Sequence, residues 1–202
     1  MLKYQIPTWM QKCYRGVTWR RKTTQKVIYI TFDDGCVPEV TPKVLKVLNE
    51  KGVKATFFCV GDNVRKYPNL FEQIKAEGHR VGNHTYNHLK GIKTPLKTYL
   101  DNVHLANMLI ESNLFRPPYG KMTNQQKKLL AKDYEIVLWD VLTNDYDPRV
   151  TLEELIYQTQ RHTRNGSVIV FHESIKAAER MLPALPKLID IWKEQGYAFE
   201  TL

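Results

Sequence analysis

Apolar runs recur along the chain, and between most of them apolar residues repeat at helical rather than alternating spacing. "KVIYITFD" (26–33) is β-branched and apolar throughout, which predicts a strand covered on both faces. "PEVTPKVLKVLNEKG" (38–52) reads as a helix with Gly52 as its C-cap. "KATFFCVG" (54–61) predicts a second strand, "NLFEQIKAEG" (69–78) a helix stopped by glycine, and "HRVGNHT" (79–85) a short third strand. A longer helix is expected from Thr94 to Asn113. The prolines of "LFRPPYG" (114–120) then forbid helix and fix an extended segment. "TNQQKKLLAKD" (123–133) reads as helix and "YEIVLWDV" (134–141) as strand. "TLEELIYQTQRHT" (151–163) reads as a helix opened by the capping box Thr151-x-x-Glu154. "GSVIVFH" (166–172) is a strand, 175–196 mostly helix, and "YAFETL" (197–202) a closing strand.

Strands that alternate with helices and are apolar on both faces make a parallel sheet covered by helices. The predicted class is α/β: a distorted, TIM-like (β/α) barrel with about seven parallel strands. A doubly wound open sheet is the alternative. With 202 residues, one domain with a substantial core is expected, spanning 26–202. Residues 1–25 are expected to form an arm packed on the barrel.

Charge changes the picture only at that arm. The net charge is +9, and residues 1–26 hold seven Lys or Arg and no acid, interleaved with Tyr4, Trp9, Tyr14 and Trp19. Such a segment is either a docked, solvated arm or a contact for an anionic surface such as a membrane leaflet. No nucleic-acid-binding pattern accompanies it. No apolar run is long enough to span a bilayer and no secretory signal is visible, so a cytoplasmic monomer is the default, with a peripheral-membrane or cell-envelope setting as the alternative. Cys13, Cys36 and Cys59 form no CxxC, and a disulfide framework is not expected. Cys59 reads as a core residue.

In a barrel of this kind chemistry gathers where strands end. The polar residues there are Asp33 and Asp34 after the first strand, His84 and His88 after the third, Arg116 and Tyr119 in the next extended segment, Asp145 beyond Trp139, and His172. In "HTYNH" the preceding "RVGN" argues for a turn, and a turn can aim both imidazoles at one ion. Two histidines with a carboxylate make a three-ligand site with open positions, and Asp34 is the nearest carboxylate. Asp33 is then free to act as a base on water activated by the cation. His79, His104 and His162 have no motif partners and are expected at the surface or on helices. Asp140 and Asp147 are expected at turns or the rim, Glu173 in solvent, and Trp139 in the core.

These residues resemble the polysaccharide deacetylases of carbohydrate esterase family 4, the NodB homology domain. "TFDDG" (31–35), "HTYNH" (84–88), "RPPYG" (116–120), "WDVLTNDY" (139–146) and "VIVFH" (168–172) follow the family order, and the resemblance runs from Lys26 onward. It implies a metal-dependent hydrolase that removes N-acetyl groups from an amino-sugar polymer or oligomer and releases acetate. An O-acetyl esterase on the same scaffold and a non-catalytic glycan-binding domain are the alternatives. Asp34, His84 and His88 would hold a divalent metal, zinc first, with cobalt, nickel or iron possible. Asp33 would be the general base, oriented by Arg116. The Tyr119 N–H would stabilise the oxyanion. His172 would be the general acid, oriented by Asp145, while Tyr119, Tyr146 and Val170 would contact the substrate. Three positions depart from the family pattern: Cys36 stands for the usual proline, Tyr146 for tryptophan and Val170 for leucine. Cys36 is expected to be an inert replacement because the ligand set is complete without it.

Overall fold

The computed structural model describes residues 4–202. Residues 1–3 of the arm, and the side chain of Cys13, lie outside the described residues. After a short helix, α1 (Thr8–Cys13), the chain runs through β1 (Val27–Asp33), α2 (Thr41–Glu50), β2 (Thr56–Cys59), α3 (Gly61–Lys66), α4 (Pro68–Ala76) and β3 (Arg80–Asn83). It continues through α5 (Leu96–Ile110), β4 (Leu114–Phe115), α6 (Asn124–Leu130), β5 (Glu135–Ile136), β6 (Val141–Leu142), α7 (Leu152–His162), β7 (Val168–His172), α8 (Ile175–Glu194) and β8 (Ala198–Phe199).

Seven strands lie side by side in the order β5-β4-β3-β2-β1-β7-β6, and β8 pairs with the start of β1. Every pairing between named strands is parallel, and the sheet curls into a distorted barrel, as its both-sided apolar strands predict. All seven residues of β1 are buried. Alternation sorts them by face. Ile28, Ile30 and Phe32 point outward into the main core with Phe57, Ile169, Phe171 and the inner faces of α2 and α8. Val27 and Tyr29 point inward and join Phe58, Leu114, Val137 and Val168 as the floor of the barrel interior. Thr31 and then Asp33 follow on that inward face, so polarity rises toward the C-terminal rim.

The segment 134–141 differs from its expected single strand. It pairs at one end as β5 with β4, and at the other as β6 with β7, so it crosses the seam between the sheet's two edges. The reason lies in the arm, which supplies backbone partners there. Thr18 N–H donates to Ile136 O, Leu138 N–H to Thr18 O, and Leu142 N–H to Tyr4 O. A buried edge would otherwise leave these groups unpaired at a cost of roughly 1–3 kcal/mol each.

Smaller differences are local. Thr151 caps α7 by accepting from Glu154 N–H, but the Glu154 carboxylate bonds Tyr4 Oη. The reciprocal capping box belongs instead to Thr123 and Gln126 of α6. His79 is buried rather than superficial: its Nδ1 accepts from Ala55 N–H at 3.2 Å, and burial drops its pKa to about 4. Asp140 is fully buried and takes Arg164, Ser167 and Gln11 as donors. Cys36 and Cys59 are buried free thiols of the main core. No described helix is long and apolar enough to cross a membrane.

Candidate active site

Strand register brings the polar strand ends to one level. Asp33 stands opposite both Phe58 and His172, Cys59 opposite Asn83, and Asn83 opposite Phe115. The next residues along, Asp34, His84 and Arg116, therefore leave the sheet at the same rim.

Asp34, His84 and His88 meet there, with their ligand atoms all within 4.8 Å of one another. Asp34 Oδ1 lies 3.2 Å from His88 Nε2 and 3.7 Å from His84 Nε2. That oxygen is buried and has no well-aligned hydrogen bond, so its lone pairs face the space between the imidazoles. His84 Nδ1 is 2.7 Å from Arg116 O; because a carbonyl only accepts, Nδ1 carries the proton and Nε2 presents its lone pair. Burial pulls the His84 pKa down to about 4, so the ring is neutral, as a ligand must be. Burial alone would push Asp34 up, but the close approach of His88 and the nearby His172 and His84 hold its carboxyl well below the usual range. One carboxylate oxygen and two imidazole nitrogens with a shielded lone pair fit a divalent cation.

The turn that carries both histidines is held by side chains. Asn83 Oδ1 accepts from Thr85 N–H, Thr85 Oγ1 from Leu89 N–H, and Asn102 Oδ1 from Tyr86 N–H. Asn63 donates to Asp34 O at 2.9 Å. These asparagines escaped the sequence reading, since nothing in their own spacing marks them as partners of this turn.

Asp33 points the other way, into the barrel. Its Oδ1 accepts from Arg116 Nη1 at 2.6 Å. Arg116 is wholly buried and makes four hydrogen bonds: it also reaches Thr31 Oγ1, Val137 O and Leu138 O, and lies 4.0 Å above the Phe58 ring. Burial lowers its pKa and Asp33 opposes that, so each ion makes the other tolerable.

His172 Nδ1 is 2.7 Å from Asp145 Oδ1, and Asp145 Oδ2 accepts the His172 backbone N–H at 2.7 Å. Burial works against protonation of the ring, but Asp145 outweighs it, with help from Asp34 and Asp33, and raises the pKa to about 9. The Tyr146 ring stands edge-on against His172 at 4.9 Å. Arg180 on α8, also missed in the sequence, donates to Asp145 O at 2.8 Å. Val170 is fully buried, one pleat below His172 on the same face of β7.

The "RPPYG" segment is a tight 3-10 turn over Pro118–Gly120 rather than plainly extended. Tyr119 has φ 61°, its ring is 56% exposed, and it stands 4.8 Å from His88. Among the described residues nothing accepts its backbone N–H. Gly120 follows at φ +63°, where a Cβ would meet Trp139 at 2.5 Å, so the half-buried Trp139 clamps the turn. Among the described residues six non-glycine residues have positive φ, and five of them, Asp34, Thr85, His88, Tyr119 and Asn144, lie in the loops at this rim. At roughly 1–3 kcal/mol each, that strain is concentrated where side chains must be aimed.

One acid is placed unexpectedly. Glu173 is fully buried, against the expectation of solvent, and neither carboxyl oxygen has a well-aligned hydrogen bond, with the Thr41 side chain close enough to favour its ionised form. Its Oε2 packs on Gly35, where a Cβ would come within 2.1 Å. Burial raises its pKa to about 8; Thr41 opposes this, and Asp34 and Asp33 add to it.

Comparison with known proteins places the chain and its fold in a family. Residues 20–138 match the polysaccharide deacetylase family model. A peptidoglycan-N-acetylglucosamine deacetylase of Bacillus cereus is 33% identical over 197 residues, which cover 92% of this chain and 91% of that one. A chitooligosaccharide deacetylase of Azorhizobium caulinodans is 30% identical, over 93% of this chain and 98% of its own. The crystal structure of a peptidoglycan N-acetylglucosamine deacetylase in complex with 4-naphthalen-1-yl-N-oxidanyl-benzamide superposes with a TM-score of 0.86 at 31% identity, covering 98% of this chain and 95% of that one. The chain belongs to the polysaccharide deacetylases of carbohydrate esterase family 4.

Proposed function

We propose that this chain is a metal-dependent deacetylase that hydrolyses N-acetyl groups of an amino-sugar polymer, with peptidoglycan N-acetylglucosamine as the first substrate to try. The observation that carries the proposal is the orphaned Asp34 oxygen facing two imidazoles, flanked on one side by the Asp33–Arg116 pair and on the other by His172–Asp145. The relatives' named activities support the substrate class.

Asp34, His84 and His88 would hold the cation, zinc first for this mixed oxygen and nitrogen set, with cobalt, nickel or iron as replacements. Bound there, a divalent cation supplies Lewis acidity, lowering the pKa of water and polarising the acetyl carbonyl. Asp33, kept in one rotamer by Arg116, accepts the proton of the attacking water. The Tyr119 N–H, free of internal partners, donates to the oxygen on which charge develops. His172, protonated at neutral pH, gives its Nε2 proton to the departing amine, while Asp145 holds the ring by Nδ1. Tyr146 and the Tyr119 ring wall the cleft, and Val170 sets its depth. Residues 26–202 carry these groups, and the arm seals the barrel beneath them.

Acetate release from peptidoglycan, chitin oligomers and acetylated xylan, before and after metal removal, tests the reading. Release from the amino-sugar substrates, lost on chelation and restored by zinc, is the expected result. Activity on acetylated xylan alone would make the chain an O-acetyl esterase. Glycan binding without release from any substrate would make it a non-catalytic domain.

A further inference from the structure

The end of the barrel away from Asp33 and His172 is built from the strand starts, and segment 5–26 runs across it. Gln5 bridges to Val141, Thr18 to Val137 and Arg20 to Ser167, while Arg21 N–H donates to Gly166 O. No Asp or Glu occurs in the segment. Its inward polar groups are engaged: Gln11 donates to Asp140, and Thr18 and Arg21 donate to Glu135. Its outward cations have no acidic partner among the described residues, although Lys26 donates to Gln195 O and lies over the Tyr197 ring. Lys12, Arg15, Lys22 and Lys26 are exposed, and among the described residues no carboxylate forms an ion pair with any of them. Trp9 is 67% exposed, and its neighbours Thr8 and Gln11 are tied to Arg164 and Asp140, which fixes it to this end of the molecule. Where the segment ends at Lys26, a hollow of about 420 Å3 is lined by Lys26, Tyr157, Arg161 and Tyr197, with no acid in its lining.

We propose that this base is a docking face for an anionic lipid surface, with Trp9 as the interfacial anchor and the arm's lysines and arginines as the electrostatic contacts. An indole is favoured at headgroup level, and basic side chains within a Debye length of an anionic leaflet are attracted to it. Cations alone would suit any polyanion; the exposed tryptophan among them selects a surface with an apolar layer beneath its charge. Docking by this end leaves the cleft at the opposite rim open. The proposal stands apart from the catalytic reading, since none of its residues belongs to the site.

The full chain is sedimented with vesicles of phosphatidylcholine containing phosphatidylglycerol, and with vesicles of phosphatidylcholine alone. Binding only to the anionic vesicles is expected, weakening as salt rises. A blue shift of tryptophan emission should accompany it and disappear in Trp9→Phe. Lys22→Glu with Lys26→Glu should weaken binding about 25-fold or more, at about five-fold per basic residue removed, while acetate release from a soluble substrate stays unchanged. The wild-type comparison of the two vesicles needs no variant to fold. Absence of binding to anionic vesicles at low salt, or equal binding to neutral ones, overturns the proposal. So does complete displacement by soluble polyphosphate with no Trp9 emission change, which would assign the face to a soluble polyanion.

Discussion

Asp33 and Asp34 are adjacent, yet strand alternation turns one into the barrel toward Arg116 and the turn after β1 aims the other at His84 and His88. Their removal should therefore fail in different ways. Asp33→Asn should keep its metal and lose turnover by about 10²- to 10⁴-fold, the usual worth of a general base. His88→Ala should lose metal first. Metal content measured beside kcat separates the two, and an Asp33→Asn enzyme with full turnover would reject the assignment. In the proposed mechanism the acid limb belongs to His172. Its folded pKa of about 9 lies above its ordinary value, so it stays protonated through neutrality and activity should fall as pH rises through about 9. Asp145→Asn removes the largest raising influence and should move that limb to lower pH. Glu173, whose pKa is also raised, shows its shift in stability rather than in turnover. An acid with a raised folded pKa of about 8 binds its proton in the folded state while the unfolded chain has lost it, so stability declines from the ordinary carboxylate range up to about pH 8. Glu173→Gln should relieve this by a few kcal/mol at pH 8 and change little near pH 4, read as Tm on metal-stripped protein. The reactive residues were legible because each is a polar group directly after a buried run. Glu173 was not, since an acid after a strand reads the same in solvent and beneath a glycine.

At the level of elements, local pattern and tertiary pairing part company at the seam. "YEIVLWDV" has the composition of one strand, and composition cannot say that its halves pair with opposite edges of a curled sheet. The arm was legible as basic and aromatic, but its backbone bonds to Ile136, Leu138 and Leu142 are long-range and leave no trace in spacing. Asp140 is the joint of this assembly, taking donors from Gln11, Arg164 and Ser167 at once. Asp140→Ala should leave these donors unmatched, with Arg164 partly rescued by solvent, at a cost of roughly 2–4 kcal/mol. The loss should appear first as faster hydrogen exchange in residues 5–21. Uniform destabilisation with the arm still protected would show that the arm is held by its backbone alone.

Across the whole molecule, the three proposed metal ligands come from the end of β1 and the turn after β3, with β2 between them in the sheet. A cation gripped there ties together segments that are far apart in sequence, and it binds only once the register is formed. Folding and binding are therefore linked: the folded state gains RT ln(1 + [M]/Kd), about 2.7 kcal/mol at a hundred-fold excess over Kd. For a chain of this size each kcal/mol moves Tm by about 2–4 °C, so zinc added to stripped protein should raise Tm by about 5–11 °C. Asp34→Ala removes the shielded oxygen and should abolish the shift, while Asp33→Asn, which touches no ligand, should retain it. A shift of equal size in both variants would mean that the cation binds elsewhere, and the division of labour between the two neighbouring acids would fall with it.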